Sequence, residues 1–118
     1  MIGGCKTGQA KITKGYKLRA KHVIHTVGPV WRGGDNGEDD LLESCYRESL
    51  KLAVANGVRT IAFPAISTGI YGYPLDAATA TAVRTVRDSA VEGIELVRFV
   101  CFDGATLAAY ERELGAPN

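Results

Sequence analysis

The run Pro64-Ala65-Ile66-Ser67-Thr68-Gly69-Ile70-Tyr71-Gly72-Tyr73-Pro74 is where the chemistry of this sequence concentrates. Gly69 and Gly72 permit backbone angles closed to other residues, so consecutive amides can turn inward and cradle an anion. Ser67 and Thr68 add hydroxyl donors. A helix starting just after Pro74 would add free amides and the positive end of its dipole. No lysine or arginine falls within the run, so a phosphate there would be held by amides and not by an ion pair. Tyr71, between the two glycines, can lie flat against a sugar or orient it through its hydroxyl. As spacing alone, the run fits an ordinary glycine-rich strand-to-helix turn equally well. It has no GKS or GKT and no GxGxxG, which sets aside P-loop and dinucleotide-fold readings.

Other reactive residue types are dispersed. His22 and His25 lie three apart on an expected strand, hence on opposite faces, and neither has a partner at metal-ligand spacing. Cys5, Cys45 and Cys101 read as small buried hydrophobes, with Cys5, beside Lys6 near the start of the chain, the one to test for reactivity. Ser67 sits in no Gly-x-Ser-x-Gly elbow, and no Ser-His-Asp order supports a nucleophile. Trp31 next to Arg32 reads as a loop anchor. Neither a metal nor a cofactor is called for.

The elements that must position the loop follow from periodicity. A short strand is expected over Gln9–Thr13, with a turn around Lys14-Gly15-Tyr16 and a second strand over 21–27 that Gly28-Pro29 stops. After a loop over Trp31–Glu38, Asp40 with Glu43 fits a capping box. Leu42, Cys45, Tyr46, Ser49, Leu50 and Ala53 then form one helical face, ended by Asn56-Gly57. Residues 59–63 make a short apolar strand closed by Pro64. A helix follows from about 75 to 91, with Ala78, Ala82, Val83, Val86 and Ala90 as its stripe. A third strand over 95–102 leads to Asp103, which caps a last helix whose stripe is Leu107, Tyr110 and Leu114 and whose stop is Gly115. The α-β-α-β-α order with such apolar strands implies a parallel sheet covered on both sides. Ligands of such sheets lie at the carboxyl ends of the strands, where the 64–74 run falls.

Composition bounds the rest. The 118 residues are 46% apolar and 23% charged, room for a single domain. No apolar run reaches the roughly 18–20 residues of a membrane helix, and the start lacks the apolar core of a signal peptide. Three cysteines with no CxxC pair suggest a reducing, cytoplasmic setting. The net charge of +1 hides a division: residues 1–34 hold seven bases and no acid. That stretch is either a set of lysines on exposed turns or a surface for an anionic partner such as RNA.

The stretch 62–74 resembles the diphosphate-binding loop of macrodomains, the ADP-ribose-binding modules. Gly4-Cys5-Lys6-Thr7-Gly8-Gln9-Ala10, the run from Ala20 to Trp31, and Phe99-Val100-Cys101-Phe102-Asp103 add to the likeness. Together they are similar to the bacterial branch that includes O-acetyl-ADP-ribose deacetylases and ADP-ribosyl hydrolases. The resemblance implies an α/β fold, a three-layer α/β/α sandwich on a mixed sheet, without that fold's first two strands: residues 1–118 as one truncated macrodomain. It implies ADP-ribose or O-acetyl-ADP-ribose as partner, with Ser67, Thr68, Gly69, Ile70, Tyr71 and Gly72 at the diphosphate and distal ribose. Tyr71 would be the catalytic aromatic and Phe102 the adenine-flanking one, although Phe102 reads equally well as a core aromatic. The family's catalytic asparagine and aspartate have no counterpart here. Hydrolase, binding-only or inactive fragment, and RNA- or protein-binding module through 1–34 are therefore the competing functions.

The resemblance further implies that an absent strand lies between those at 22–27 and 59–63, and another beyond 95–102. Two facing rows of unpaired backbone groups would be costly, at about 1–3 kcal/mol for each unmet buried group. The strands are therefore expected to close up, to be shared between copies, or to be completed by another polypeptide. Self-association is the favoured outcome.

Overall fold

The computed structural model describes residues 5–14, 22–69, 71–89 and 93–115. In it β1 (Ala10–Lys14) pairs antiparallel with β2 (His22–Thr26), in a register running from Ala10 opposite Thr26 to Lys14 opposite His22. The Thr26 hydroxyl donates to the Gln9 carbonyl at 2.7 Å, and the Gly8 amide to the Val27 carbonyl at 2.9 Å, fixing the open end of this ribbon. The expected turn at 15–16 lies outside the described residues.

Helix α1 spans Glu38–Ala55, and Asn56 and Gly57 end it, Gly57 at φ 71°. Its start differs from the expected capping box. The helix begins two residues before Asp40, after Gly37 in the left-handed region at φ 74°. The reason is Glu38. Its carboxylate accepts the amides of Arg32, Gly34 and Asn36 at 2.8, 3.0 and 2.7 Å, so the preceding loop folds back onto the first helical residue. Glu43 pairs with Arg47 instead of capping.

Strand β3 (Thr60–Pro64) pairs in parallel with β4 (Leu96–Val100), and α2 (Leu75–Asp88) is the crossover between them. Parallel strands need such a connection, and the apolar spacing of α2 supplies one that packs. Ala78, Ala82 and Val83 are buried as expected, together with Thr79, Thr81 and Thr85, while Ala90 lies outside the described residues. The Thr79 hydroxyl donates to the Leu75 carbonyl one turn back, which is how a threonine sits in a helix core without an unmet group.

The core gathers on one face of the parallel pair. Phe63 packs edge-on to Tyr46 at 4.9 Å between centroids, and Phe99 stacks on Tyr110 at 4.7 Å. Leu42, Leu50, Ala82 and Val83 fill the space between them. Each large apolar side chain so buried contributes about 1.5–3 kcal/mol, and the ring pairs add about 0.5–1.5 kcal/mol each.

Helix α3 (Gly104–Gly115) starts as expected, with the Thr106 amide donating to the Asp103 carboxylate at 2.8 Å. That amide holds the Asp103 carboxyl below its usual range. The buried stripe differs from expectation, because Leu107 and Leu114 are each 49% exposed. Thr106, Ala109 and Tyr110 face inward, an arc centred about 100° around the helix from the two leucines. Seating Tyr110 on Phe99 with small residues beside it sets that rotation.

The strands also differ from the expectation of a sheet covered on both faces. Ile61, Phe63, Val97 and Phe99 turn to the helices, while Ala62, Leu96 and Val100 on the other face are exposed. Parallel and antiparallel pairings are both present, as a mixed sheet requires, but among the described residues they form two separate two-stranded sheets.

Candidate functional site

The loop between β3 and α2 is shaped by two residues in the left-handed region, Ser67 at φ 68° and Gly72 at φ 72°. Glycine adopts that geometry freely, whereas a serine there stores about 1 kcal/mol of strain. Inside the loop the Tyr73 amide donates to the Ser67 carbonyl at 2.9 Å and the Gly72 amide to the Gly69 carbonyl at 3.1 Å. These bonds pull the ends together. The amides of Thr68 and Gly69 donate to no backbone acceptor among the described residues.

The Ser67 hydroxyl is buried and has no hydrogen-bond partner among the described residues. Against it lies the segment leaving β2. A Cβ placed on Gly28 would stand 2.2 Å from Ser67 Oγ and 2.5 Å from Ile66 Cγ2, so only a glycine lets the two segments come this close. Gly28 was read from sequence as a strand stop. Its contact with Ser67 joins residues nearly forty positions apart, and no local pattern carries that.

Three further residues brace the loop. The Trp31 amide donates to the Tyr71 carbonyl at 2.9 Å, and the indole packs on the Tyr73 ring at 4.8 Å between centroids. Trp31 is thus the anchor that the sequence suggests. Tyr73 is buried, and its hydroxyl donates to the Asp39 carboxylate. Burial, then that carboxylate, pushes the Tyr73 hydroxyl well above its ordinary pKa, so it stays a donor. Glu38 holds the 32–36 loop alongside, and the amide of Arg32, with those of Gly34 and Asn36, lowers its carboxyl to about 2 against the cost of desolvation. Sequence reasoning missed Gly28, Glu38 and Asp39. The available signal was the Glu38-Asp39-Asp40 acid run, of which the capping-box reading used only Asp40.

The expected residues are distributed as follows. Ser67, Thr68 and Tyr71 are half-buried, Gly69 and Gly72 exposed, and Ile70 lies outside the described residues. Helix α2 follows at once, with Pro74 at its N-cap position and no side chain capping its first amides. Asp76 in that first turn is drawn to Arg112 at 3.1 Å. Phe102, at the end of β4, is 84% exposed, which excludes the core-aromatic alternative. Of the seven N-terminal bases, Lys17, Arg19, Lys21 and the side chain of Lys14 lie outside the described residues. Cys45 is buried, Cys5 and Cys101 half-buried, and all three are free thiols. Burial pushes the Cys45 thiol up. Among the described residues no group of three metal-ligating side chains converges, and no helix is long and apolar enough to cross a membrane.

The family model described as Macro domain matches residues 1–82. A macro domain-containing protein of Chlorobaculum tepidum is 60% identical over 117 residues, 98% of this chain and 68% of its own length. An O-acetyl-ADP-ribose deacetylase of Salmonella typhimurium is 57% identical over 114 residues, 95% of this chain and 64% of its own. Among solved structures, an Oceanobacillus iheyensis macrodomain mutant with ADPR superposes with TM-score 0.86 at 38% identity, over 92% of this chain and 59% of that one. A Trypanosoma brucei macrodomain in complex with ADP-ribose gives 0.82 at 41% identity, over 95% of this chain and 47% of that one. The chain thus spans about two thirds of the curated relatives and about half of the solved chains.

Proposed function

Because the chain belongs to the macro domain family, we propose that it binds ADP-ribose through residues 67–72. The diphosphate takes the free amides of Thr68 and Gly69 and the Ser67 hydroxyl, and the distal ribose rests on Tyr71. Gly72 is the hinge of the loop, and Phe102 offers an open ring to the adenine. The observation that carries the reading is the pair of unused amides beside a buried hydroxyl with no partner among the described residues. In a site with no cation between 64 and 74, such donors suit a diphosphate, because each bond to a charged oxygen is worth about 1.5–3 kcal/mol.

The relatives named deacetylases motivate a second step, hydrolysis of the acetyl ester of O-acetyl-ADP-ribose. Water adds to the acetyl carbonyl, the ribose oxygen leaves with a proton, and acetate and ADP-ribose result. Tyr71 positions the ribose for that attack. No side chain in 64–74 can take a proton from water at neutral pH, so ligand binding is the primary proposal and hydrolysis the secondary one.

Calorimetric titration with ADP-ribose tests the first. Binding tighter than about 1 mM, more than about 4 kcal/mol, is expected, weakened at least tenfold by Tyr71→Ala. An absence of heat at millimolar ligand refutes it. Acetate release from O-acetyl-ADP-ribose, abolished by Tyr71→Ala, separates a hydrolase from a binder.

A further inference from the structure

Two cysteines, one near the start of the chain and one from α1, meet at the open end of the β1–β2 ribbon. The Cys5 thiol lies 3.4 Å from the Gln9 carbonyl oxygen and 3.8 Å from that of His25. The Cys45 thiol donates to the Val27 carbonyl at 3.3 Å. Thr26 stands between them. Its hydroxyl donates to the same Gln9 carbonyl at 2.7 Å, and it also reaches the Cys45 thiol. The two sulfurs therefore bracket one hydroxyl.

The two thiols differ in what they can do. Cys45 is fully buried. Burial pushes its thiol up, and Cys5 is close enough to push it further, so Cys45 is slow to meet an oxidant by itself. Cys5 is half-buried and belongs to no strand or helix. Its sulfur is open to a small oxidant, and its backbone can adjust. That freedom matters, because a disulfide needs its Cα atoms about 4.4–6.8 Å apart. Helix α1 is already fastened to the same segment, with the Ser44 hydroxyl donating to the Gly8 carbonyl at 2.6 Å. Cys101 sits after β4, beside the Phe99 carbonyl and near Asp103 and Glu111. An accessible thiol next to a buried one is the arrangement of an attacking and a resolving cysteine.

We propose that Cys5 and Cys45 form a peroxide-oxidised thiol pair, whose disulfide fastens the start of the chain to α1. The Cys5 sulfur attacks one oxygen of a hydroperoxide and the O–O bond breaks. The Cys5 proton leaves with the other oxygen, as water or an alcohol. The Cys45 sulfur then attacks the sulfur of the Cys5 sulfenic acid, the S–O bond breaks, and the hydroxyl leaves with the Cys45 proton as water. Two thiols are oxidised and one peroxide is reduced. Exchange with a reduced dithiol restores the pair.

The test treats the reduced 118-residue chain with hydrogen peroxide and follows intact mass, free thiols and protease-derived peptides. The mass should fall by two hydrogens, with one linked peptide pair that joins Cys5 to Cys45 and that dithiothreitol separates. Cys101→Ser should oxidise at the parent's rate. Cys5→Ser, a change outside the core, should slow the loss of the Cys45 thiol at least tenfold. The linked chain should melt about 5 °C or more above the reduced one, because the bond closes a loop of about 40 residues in the unfolded state. Thiols that all survive peroxide overturn the proposal. So does a Cys5 sulfinic acid beside a reduced Cys45, a link to Cys101 or to a second copy, or a linked chain that melts below the reduced one.

Discussion

Ser67 concentrates two unfavourable features in one residue, and replacing it should make the protein more stable and worse at binding. Its backbone lies at φ 68°, and its hydroxyl is buried with no partner among the described residues. Ser67→Gly relieves about 1 kcal/mol of left-handed strain and about 1–3 kcal/mol of unmet hydroxyl. Added glycine freedom in the unfolded chain offsets about 0.5–1 kcal/mol. The net expectation is a gain of about 1–3.5 kcal/mol, or about 4–14 °C in Tm for a chain of this size. If the hydroxyl is held in reserve for a diphosphate, the same change removes a bond to a charged oxygen and weakens ADP-ribose about tenfold or more. Ser67→Ala separates the two causes: it deletes the hydroxyl and keeps the strain. It should bind as poorly as the glycine variant and, because it avoids the glycine's added unfolded-state freedom, fall within about 0.5 kcal/mol of that variant's stability. Urea unfolding and calorimetric titration of the three proteins provide the readout. A glycine variant less stable than the parent, or one that binds ADP-ribose equally well, refutes the reasoning.

Three other outcomes follow from the collar around the loop. Gly28→Ala forces a carbon against Ser67 and Ile66, so urea denaturation should show a loss of about 1–3 kcal/mol from overpacking, partly recovered in the double variant with Ser67→Gly. Tyr73→Phe removes the bond to Asp39 and should lower stability by about 1 kcal/mol; thermal melts at neutral pH check this. The Glu38 carboxyl titrates near 2 when folded and near 4.5 when free. Its contribution is therefore complete above pH 4.5 and is lost as pH falls toward 2. Melting temperature against pH should fall less steeply over that window in Glu38→Gln than in the parent, and parallel curves would contradict the assignment.

Much of the local structure was legible because local rules govern it. The faces of α1 and α2 follow from apolar residues at three- and four-residue spacing, and Asn56-Gly57 and Asp103 mark helix ends because capping is a contact within one turn. The glycines and hydroxyls at 67–72 likewise announced a turn capable of holding an anion. The α3 stripe was misread because Leu107, Tyr110 and Leu114 satisfy the period, yet Tyr110 is the residue that meets Phe99, and that meeting rotates the leucines outward. The start of α1 was misread because Glu38 is committed to three amides of the preceding loop, a closure that spacing does not encode.

The sequence by itself determined the order of elements, the parallel sense of the β3–β4 pair and the place of the anion loop. Each depends on residues a few positions apart or on a periodicity that any strand or helix must obey. Only the tertiary structure decided what presses on that loop: Gly28 against Ser67 and Trp31 on Tyr73. These are contacts between segments distant in the chain. They depend on which backbone edges and side chains the packing brings within reach, and no window of sequence carries that information.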